Sequence, residues 1–168
     1  MIPVISFIGH HNAGKTRLLS QLVETLTERG LRVGAVKHAP HGIVADEPDG
    51  TDSRQLREAG AHRMLLLGRD TAVLTWAQPS IENLEATIQR LFADCDLVLI
   101  EGLKRGPFPK IEVFRRTGKI PQEPLAGAID VVAVVSDAAI ALPDGTASFS
   151  PRDHEALADF LETQFLSS

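Results

Sequence analysis

The sequence predicts an α/β fold, a mainly parallel central sheet flanked by helices in three layers, built as a single domain over residues 1–168. Three observations carry this prediction. Residues 2–8 form an uninterrupted apolar, β-branched run that suits a strand buried on both faces of a parallel sheet. From residue 15 to 29 the apolar positions Leu18, Leu19, Leu22, Val23 and Leu26 recur at helical spacing. Further short apolar runs then alternate with amphipathic stretches to the end of the chain, the pattern of strands joined by helical crossovers.

Each element has its own local cause. Pro3 sits at the start of the first strand, where a missing donor costs least, and Gly30 is placed to stop the first helix. Residues 31–36 read as the second strand, and residues 37–51 as a long loop rich in Pro, Gly and His. Asp52 or Ser53 caps a short helix ending near Gly60, followed by paired strands Arg63–Leu67 and Ala72–Trp76 around Gly68, Arg69 and Asp70. Ser80 opens a helix marked by Ile81, Leu84, Ile88, Leu91 and Phe92. Residues 97–100, 111–115 and 129–135 are the remaining strands, with Asp96 capping the entrance of the first of them. Ser150, Pro151 and Asp153 announce a last helix whose buried stripe is Leu157, Phe160, Leu161 and Phe165.

Composition narrows the function classes. The formal net charge of -5 argues against a protein that neutralises nucleic-acid phosphates over a broad face. No apolar run reaches membrane-spanning length, no signal-like segment precedes the first strand, and the lone cysteine, Cys95, forbids an internal disulfide. The expectation is a cytoplasmic protein without nucleic-acid or membrane partners.

The chemistry gathers at the first strand-to-helix turn. Gly9, His10, His11, Asn12, Ala13, Gly14, Lys15 and Thr16 spell GxxxxGKT between a strand and a helix, the context this phosphate-binding loop requires. Its glycines let backbone N–H groups turn inward around phosphates, and the helix N-terminus adds positive potential. Lys15 brings a full charge to the β and γ oxygens, Thr16 a hydroxyl for Mg2+, and Arg17 follows directly. Chance produces the pattern in under about 1% of chains of this composition and length.

Other residues are candidates on weaker grounds. Glu101 ends a hydrophobic strand before Gly102, where an acid orients Mg2+ or polarises an attacking water; an acid that merely ends a strand is the plain alternative. Asp52 is the candidate for a second carboxylate near the metal, against an ordinary helix cap. Lys37 and His38 leave the second strand at a place suited to phosphate contact. Lys104, Arg105, Lys110, Arg115 and Arg116 concentrate charge suited to a second anionic ligand, or to solvent. Asp137 ends a late strand where an acid pairs with guanine N1 and N2, although a complete NKxD signature is absent. A transition-metal site is disfavoured despite His10, His11 and the HxxH spacing of His38 and His41, because zinc needs three or four ligands.

The order and spacing of GHHNAGKT, VKHAPH, DGTDSRQLREAGA, DLVLIEGLK and PKIEVFR resemble the MobB family, the GTP-binding adaptors of molybdopterin guanine dinucleotide biosynthesis. That resemblance implies a P-loop NTPase fold, a homodimer, GTP and Mg2+ as ligands, weak GTP hydrolysis, and partnership with the guanylyltransferase that joins GMP to molybdopterin, with molybdopterin itself a further candidate ligand. By position it assigns phosphate binding to Gly9 through Thr16, Mg2+ to Thr16, Asp52 and Glu101, and the EGxK and PKIE segments to Lys104 and Lys110. Thr51 departs from the lysine usual before the DS pair. Two other P-loop activities compete with an adaptor: a kinase for a small anionic metabolite, and a metallochaperone GTPase. Slow turnover is the adaptor's expectation, since no arginine finger or water-orienting glutamine can be assigned and such groups supply about 1000-fold or more.

Overall fold

Apolar side chains on both sides of the first strand demand cover on both sides, and the arrangement of the chain follows from that requirement. The computed structural model describes residues 1–39, 52–76, 83–116 and 123–166. In order these form β1 (Val4–Ile8), α1 (Lys15–Glu28), β2 (Val33–Lys37), α2 (Asp52–Glu58), β3 (Arg63–Leu67), β4 (Ala72–Trp76), α3 (Leu84–Leu91), β5 (Leu97–Glu101), β6 (Lys110–Phe114), β7 (Ala133–Ser136), β8 (Ala147–Phe149) and α4 (His154–Leu161), which runs into a π-helical turn, Glu162–Leu166. The chain divides into two compact units, Met1–Ala39 with Ile88–Ser168, and Pro40–Thr87.

In the first unit six strands lie in the order β2-β5-β1-β6-β7-β8, every neighbouring pair parallel. Ile5, Phe7, Leu97, Leu99, Ile111, Val113, Ala133 and Val135 fill one face and pack with Leu18, Leu22 and Leu26 of α1 and Leu157, Ala158 and Leu161 of α4. Ile8, Phe114, Val131 and Val134 belong to a second cluster, with Leu125, Ile129 and Leu142 against it. At β2 and β5 the cover comes from Phe92, just past α3: a methyl on Gly34 would meet its ring at 2.5 Å, so that glycine makes room for an aromatic. Burying a side chain the size of these is worth about 1.5–3 kcal/mol.

α1 and α4 are also joined by polar contacts. Thr25 Oγ1 lies 3.0 Å from His154 Nδ1. The Arg29 guanidinium gathers three carboxylates of α4 and the turn after it, Glu155, Asp159 (2.7 Å) and Glu162 (2.6 Å), and these hydrogen bonds push it further above the ordinary arginine value. Gly30 ends α1 as expected, its N–H returning to the Thr27 carbonyl at 2.9 Å.

In the second unit β3 and β4 form the antiparallel pair read from the sequence, in the register Leu65 with Leu74 and Leu67 with Ala72. Leu65, Leu67, Val73 and Leu74 are exposed. α2 begins at Asp52 and α3 carries Leu84, Ile88 and Leu91, whereas Ser80 and Ile81 lie outside the described residues.

Two expectations need correction, and a third holds. The strand read at residues 129–135 covers only Ala133–Ser136, because the chain first makes a turn in which Ala126 bridges Ile129. β8 was not expected; its three residues, two half-buried around the exposed Ser148, carry too little apolar signal. Asp96 caps the entrance of β5 as expected: its N–H donates to the Arg32 carbonyl (2.8 Å) and its carboxylate accepts from the Arg32 N–H (2.7 Å) and guanidinium (3.0 Å), fastening that entrance to β2.

The Arg32 hydrogen bonds hold the Asp96 carboxyl below the usual carboxylate range. A carboxyl depressed in the folded state contributes stability above its unfolded pKa and loses it as pH falls through the folded one. Urea denaturation should therefore find Asp96→Asn less stable than the parent at neutral pH, with the gap closing below the ordinary aspartate range. A gap that persists unchanged at low pH would show that the charge is not what fastens β2 to β5.

Candidate functional site

The site begins at the sheet's topological switch point. β1 lies between β5 and β6, and the chain leaves it toward β2 on one side and later crosses to β6 on the other, so a crevice opens at the carboxyl end of β1. The Gly9 to Thr16 loop fills that position, between β1 and α1.

Two glycines in this loop are required by geometry. Gly9 has φ 153°, and a methyl there would lie 2.2 Å from the Val113 carbonyl oxygen of β6. Gly14 has φ 90° and caps α1 in the left-handed region, where Cβ would be strained. Asn12, at φ 60°, is a third left-handed residue, of a type that tolerates it. Ala13 is buried, and its N–H reaches the His10 carbonyl at 3.3 Å. His10 Nε2 lies 2.9 Å from the Glu123 carbonyl, while His11, Asn12 and, in the first turn of α1, Arg17 are exposed.

Lys15 crosses its own loop and donates to the carbonyls of His10 (2.8 Å) and Gly9 (3.4 Å). Burial pushes its ammonium below the ordinary lysine range; Glu101 pulls it back up, and Lys104 and Lys37 push it down again. Two further ammonium groups and one carboxylate thus act on the Lys15 charge, an excess of positive charge that suits an anion.

Glu101 is the organising group. Register sets it beside Phe7 of β1 and Lys37 of β2, at the end of β5. One oxygen accepts from Thr16 Oγ1 at 2.8 Å and the other faces Lys37 Nζ at 3.4 Å. Because Thr16 donates its proton to the carboxylate, its lone pairs stay available. Two hard oxygen donors at this spacing beside a phosphate loop fit Mg2+, which takes one or two protein oxygens and completes its shell with water and phosphate. After Glu101 the chain turns sharply through Gly102 (φ 99°) and Leu103 (φ 61°), an uncommon conformation for a leucine, with Lys104 next.

The other expected residues fall into three places. Lys110 Nζ donates to the carbonyls of Gly106 and Phe108, each at 2.9 Å, and so ties down the loop that carries Lys104. Asp137 lies past β7 with Oδ2 3.9 Å from Arg115 Nε, so Arg115 belongs with Asp137 and not with the Lys104 loop. Asp52 is exposed in the first turn of α2, in the second unit, and His41 and Thr51 lie outside the described residues. Among the described residues no group of three or more His, Cys, Asp or Glu could hold a metal ion.

Glu112 was not singled out from the sequence. It is fully buried in β6, and its two oxygens accept from the Leu125 (2.7 Å) and Ala126 (2.8 Å) N–H groups. It thereby anchors the segment whose Glu123 carbonyl meets His10. The available signal was an acid inside the apolar run Ile111, Val113, Phe114, where an unpaired charge would be costly.

Switch-point crevice, glycine loop, and the Lys15, Thr16, Glu101 grouping define a P-loop α/β protein. The family model for molybdopterin guanine dinucleotide synthesis protein B, MobB, matches residues 4–137, and the chain belongs to that family. It is 35% identical to the molybdopterin-guanine dinucleotide biosynthesis adapter protein of Escherichia coli K12, over 96% of this chain and 92% of that protein. It is 34% identical to the Haemophilus influenzae adapter, over 68% of this chain and 65% of the other. Among solved structures, Bacillus subtilis MobB superposes with TM-score 0.73 at 25% identity, covering 99% of this chain and 100% of that one. The MobB homologue of Bacillus stearothermophilus gives 0.68 at 24% identity, covering 98% and 99%.

Gly9→Ala tests the loop geometry. Forcing a methyl against the Val113 carbonyl should cost about 1–3 kcal/mol, a thermal midpoint lower by several degrees. An unchanged midpoint in thermal denaturation would mean that β6 does not constrain the loop as described.

Proposed function

We propose that the chain is a cytoplasmic, GTP- and Mg2+-binding adapter of molybdopterin guanine dinucleotide biosynthesis, which binds the guanylyltransferase and assists its transfer of GMP to molybdopterin. The observation that carries the reading is the Lys15, Thr16 and Glu101 arrangement, with Thr16 Oγ1 2.8 Å from Glu101 Oε1. It supports a triphosphate over a simple anion, because Lys15 lies within the loop while Glu101 and Thr16 supply oxygens for a cation.

In this reading the N–H groups of the Gly9 to Thr16 loop orient the phosphates. Lys15 exchanges a carbonyl of its own loop for a phosphate oxygen, and Thr16 and Glu101 hold Mg2+. Mg2+, when bound, neutralises charge that the β- and γ-phosphates would otherwise place on one another. Lys37 and Lys104 add positive potential at the same end, and Asp137 reads guanine at the other. Asp52 and Lys110 complete the proposed assignments, the first toward the metal, the second toward ligand through the loop it ties down. Hydrolysis is slow, and the chain presents or senses GTP more than it consumes it. A homodimer is part of the proposal, supported by the exposed Leu65, Leu67 and Val73 on β3 and β4. Molybdopterin is the second anionic ligand of the proposal, with the basic Lys104 and Arg105 loop as its contact.

Lys15→Ala should lose GTP binding in calorimetry by at least about tenfold, since a charge-assisted hydrogen bond is worth roughly 1.5–3 kcal/mol. Added to the guanylyltransferase with GTP and molybdopterin, the parent should raise the yield of dinucleotide and Lys15→Ala should not. Unaltered GTP affinity in the variant, or a phosphorylated small metabolite as the single-turnover product, would reject the adapter reading.

A further inference from the structure

β6 meets the phosphate loop at its root. Ile8 of β1 is level with Glu112, and a methyl on Gly9 would strike the Val113 carbonyl, so the loop leaves β1 directly against this strand. Glu112 is fully buried there, and its two oxygens accept from the Leu125 (2.7 Å) and Ala126 (2.8 Å) N–H groups. A carboxylate taken out of water is costly unless hydrogen-bonded, and bonds to a charged acceptor are stronger than neutral ones. None of the phosphate or metal contacts assigned to the loop uses this acid. A negative charge beside the root of a phosphate loop even works against anion binding, so its use must lie in what it holds.

What Glu112 holds is a turn that reaches the loop from outside. The Leu125 carbonyl accepts from the Ala128 (3.0 Å) and Ile129 (2.9 Å) N–H groups, and Leu125, Ala126 and Ile129 pack against the cluster of Ile8, Phe114, Val131 and Val134. Two residues before Leu125, the Glu123 carbonyl lies 2.9 Å from His10 Nε2. A carbonyl only accepts, so this contact places a proton on Nε2. His10 in turn carries the loop's internal contacts: its own carbonyl accepts from Lys15 Nζ at 2.8 Å and from the Ala13 N–H at 3.3 Å. One residue therefore joins the lysine, the turn at Ala13 and the segment anchored by Glu112.

We propose that Glu112 is a positioning residue for phosphate binding: it anchors residues 123–126, and these hold His10, the first variable residue of the loop, through the Glu123 carbonyl. This role rests on the GTP-binding reading above and adds no ligand contact to it. Holding His10 in place keeps the loop near its bound shape, which lowers the ordering cost of binding. Electrostatics alone predicts the opposite sign. Neutralising Glu112 would remove a negative charge near the loop and strengthen anion binding, whereas losing the anchor weakens it.

The test is a double-mutant cycle on the full chain, read by calorimetric Kd for GTP and for inorganic tripolyphosphate, each with Mg2+. His10→Ala should weaken both ligands by about fivefold, the worth of one hydrogen bond, and His10→Gln, whose amide can donate in place of Nε2, should recover most of that loss. Glu112→Gln should weaken both by a similar factor in the parent but by less than about twofold in His10→Ala, where the connection is already cut. Tighter binding in Glu112→Gln would make its charge the operative property, and an equal loss in both backgrounds would mean that it acts through overall stability; either result overturns the inference. Unaltered affinity in His10→Ala does so too. Should Glu112→Gln not fold, amide exchange followed by NMR decides without it: coupling is reciprocal, so GTP with Mg2+ should slow exchange at Leu125 and Ala126 in the parent and not in His10→Ala. Equal slowing in both proteins, or none in either, overturns the role. A parent that binds neither ligand overturns the GTP-binding reading as well.

Discussion

One carboxylate, that of Glu101, governs the site. It stands at the end of β5, on the strand next to the phosphate loop, and engages Thr16 with one oxygen and Lys37 with the other. Lys37 faces it, Glu101, Lys104 and Lys37 all act on the Lys15 charge, and the Lys15 ammonium is partly buried against carbonyls of its own loop. Positive charge thus outnumbers negative at the start of α1, where the helix N-terminus adds its own positive potential. Such a field is stabilised by a polyanion.

The fold exists to hold that arrangement still. β1, β5 and β6 are buried on both sides, and register alone brings Phe7, Glu101 and Lys37 level. The close approach of Gly9 to the Val113 carbonyl fixes the height of the loop above β6. Glu112, buried beneath, uses both oxygens on the Leu125 and Ala126 amides and so ties an irregular segment to the same strand. Lys110 does for the Lys104 loop what Glu112 does for its neighbour. These polar anchors lie inside or beside strands, where displacing one leaves a buried group without its partner.

Much of this was legible in the sequence, for physical reasons. A strand buried on both faces, a glycine loop and an amphipathic helix are local patterns, and β1, the Gly9 to Thr16 loop and α1 followed them closely. The pairing of Arg63–Leu67 with Ala72–Trp76 was equally local. What escaped depends on contacts distant in sequence. The Asp96 carboxylate bonds Arg32, 64 residues away, and no spacing rule reaches that far. Arg115 was grouped with Lys104 because they are near in sequence, yet their strand ends diverge and Arg115 meets Asp137. β8 is three residues, Ala147 and Phe149 half-buried and Ser148 exposed, too short for periodicity to register.

The most direct measurement is calorimetric titration of the chain with a non-hydrolysable GTP analogue, with and without Mg2+, in the parent and in Glu101→Gln. If the Thr16 and Glu101 oxygens hold the cation, Mg2+ should tighten binding by at least about tenfold in the parent and leave the variant nearly indifferent. Equal Mg2+ dependence in both proteins, or none in the parent, would contradict the role given to Glu101.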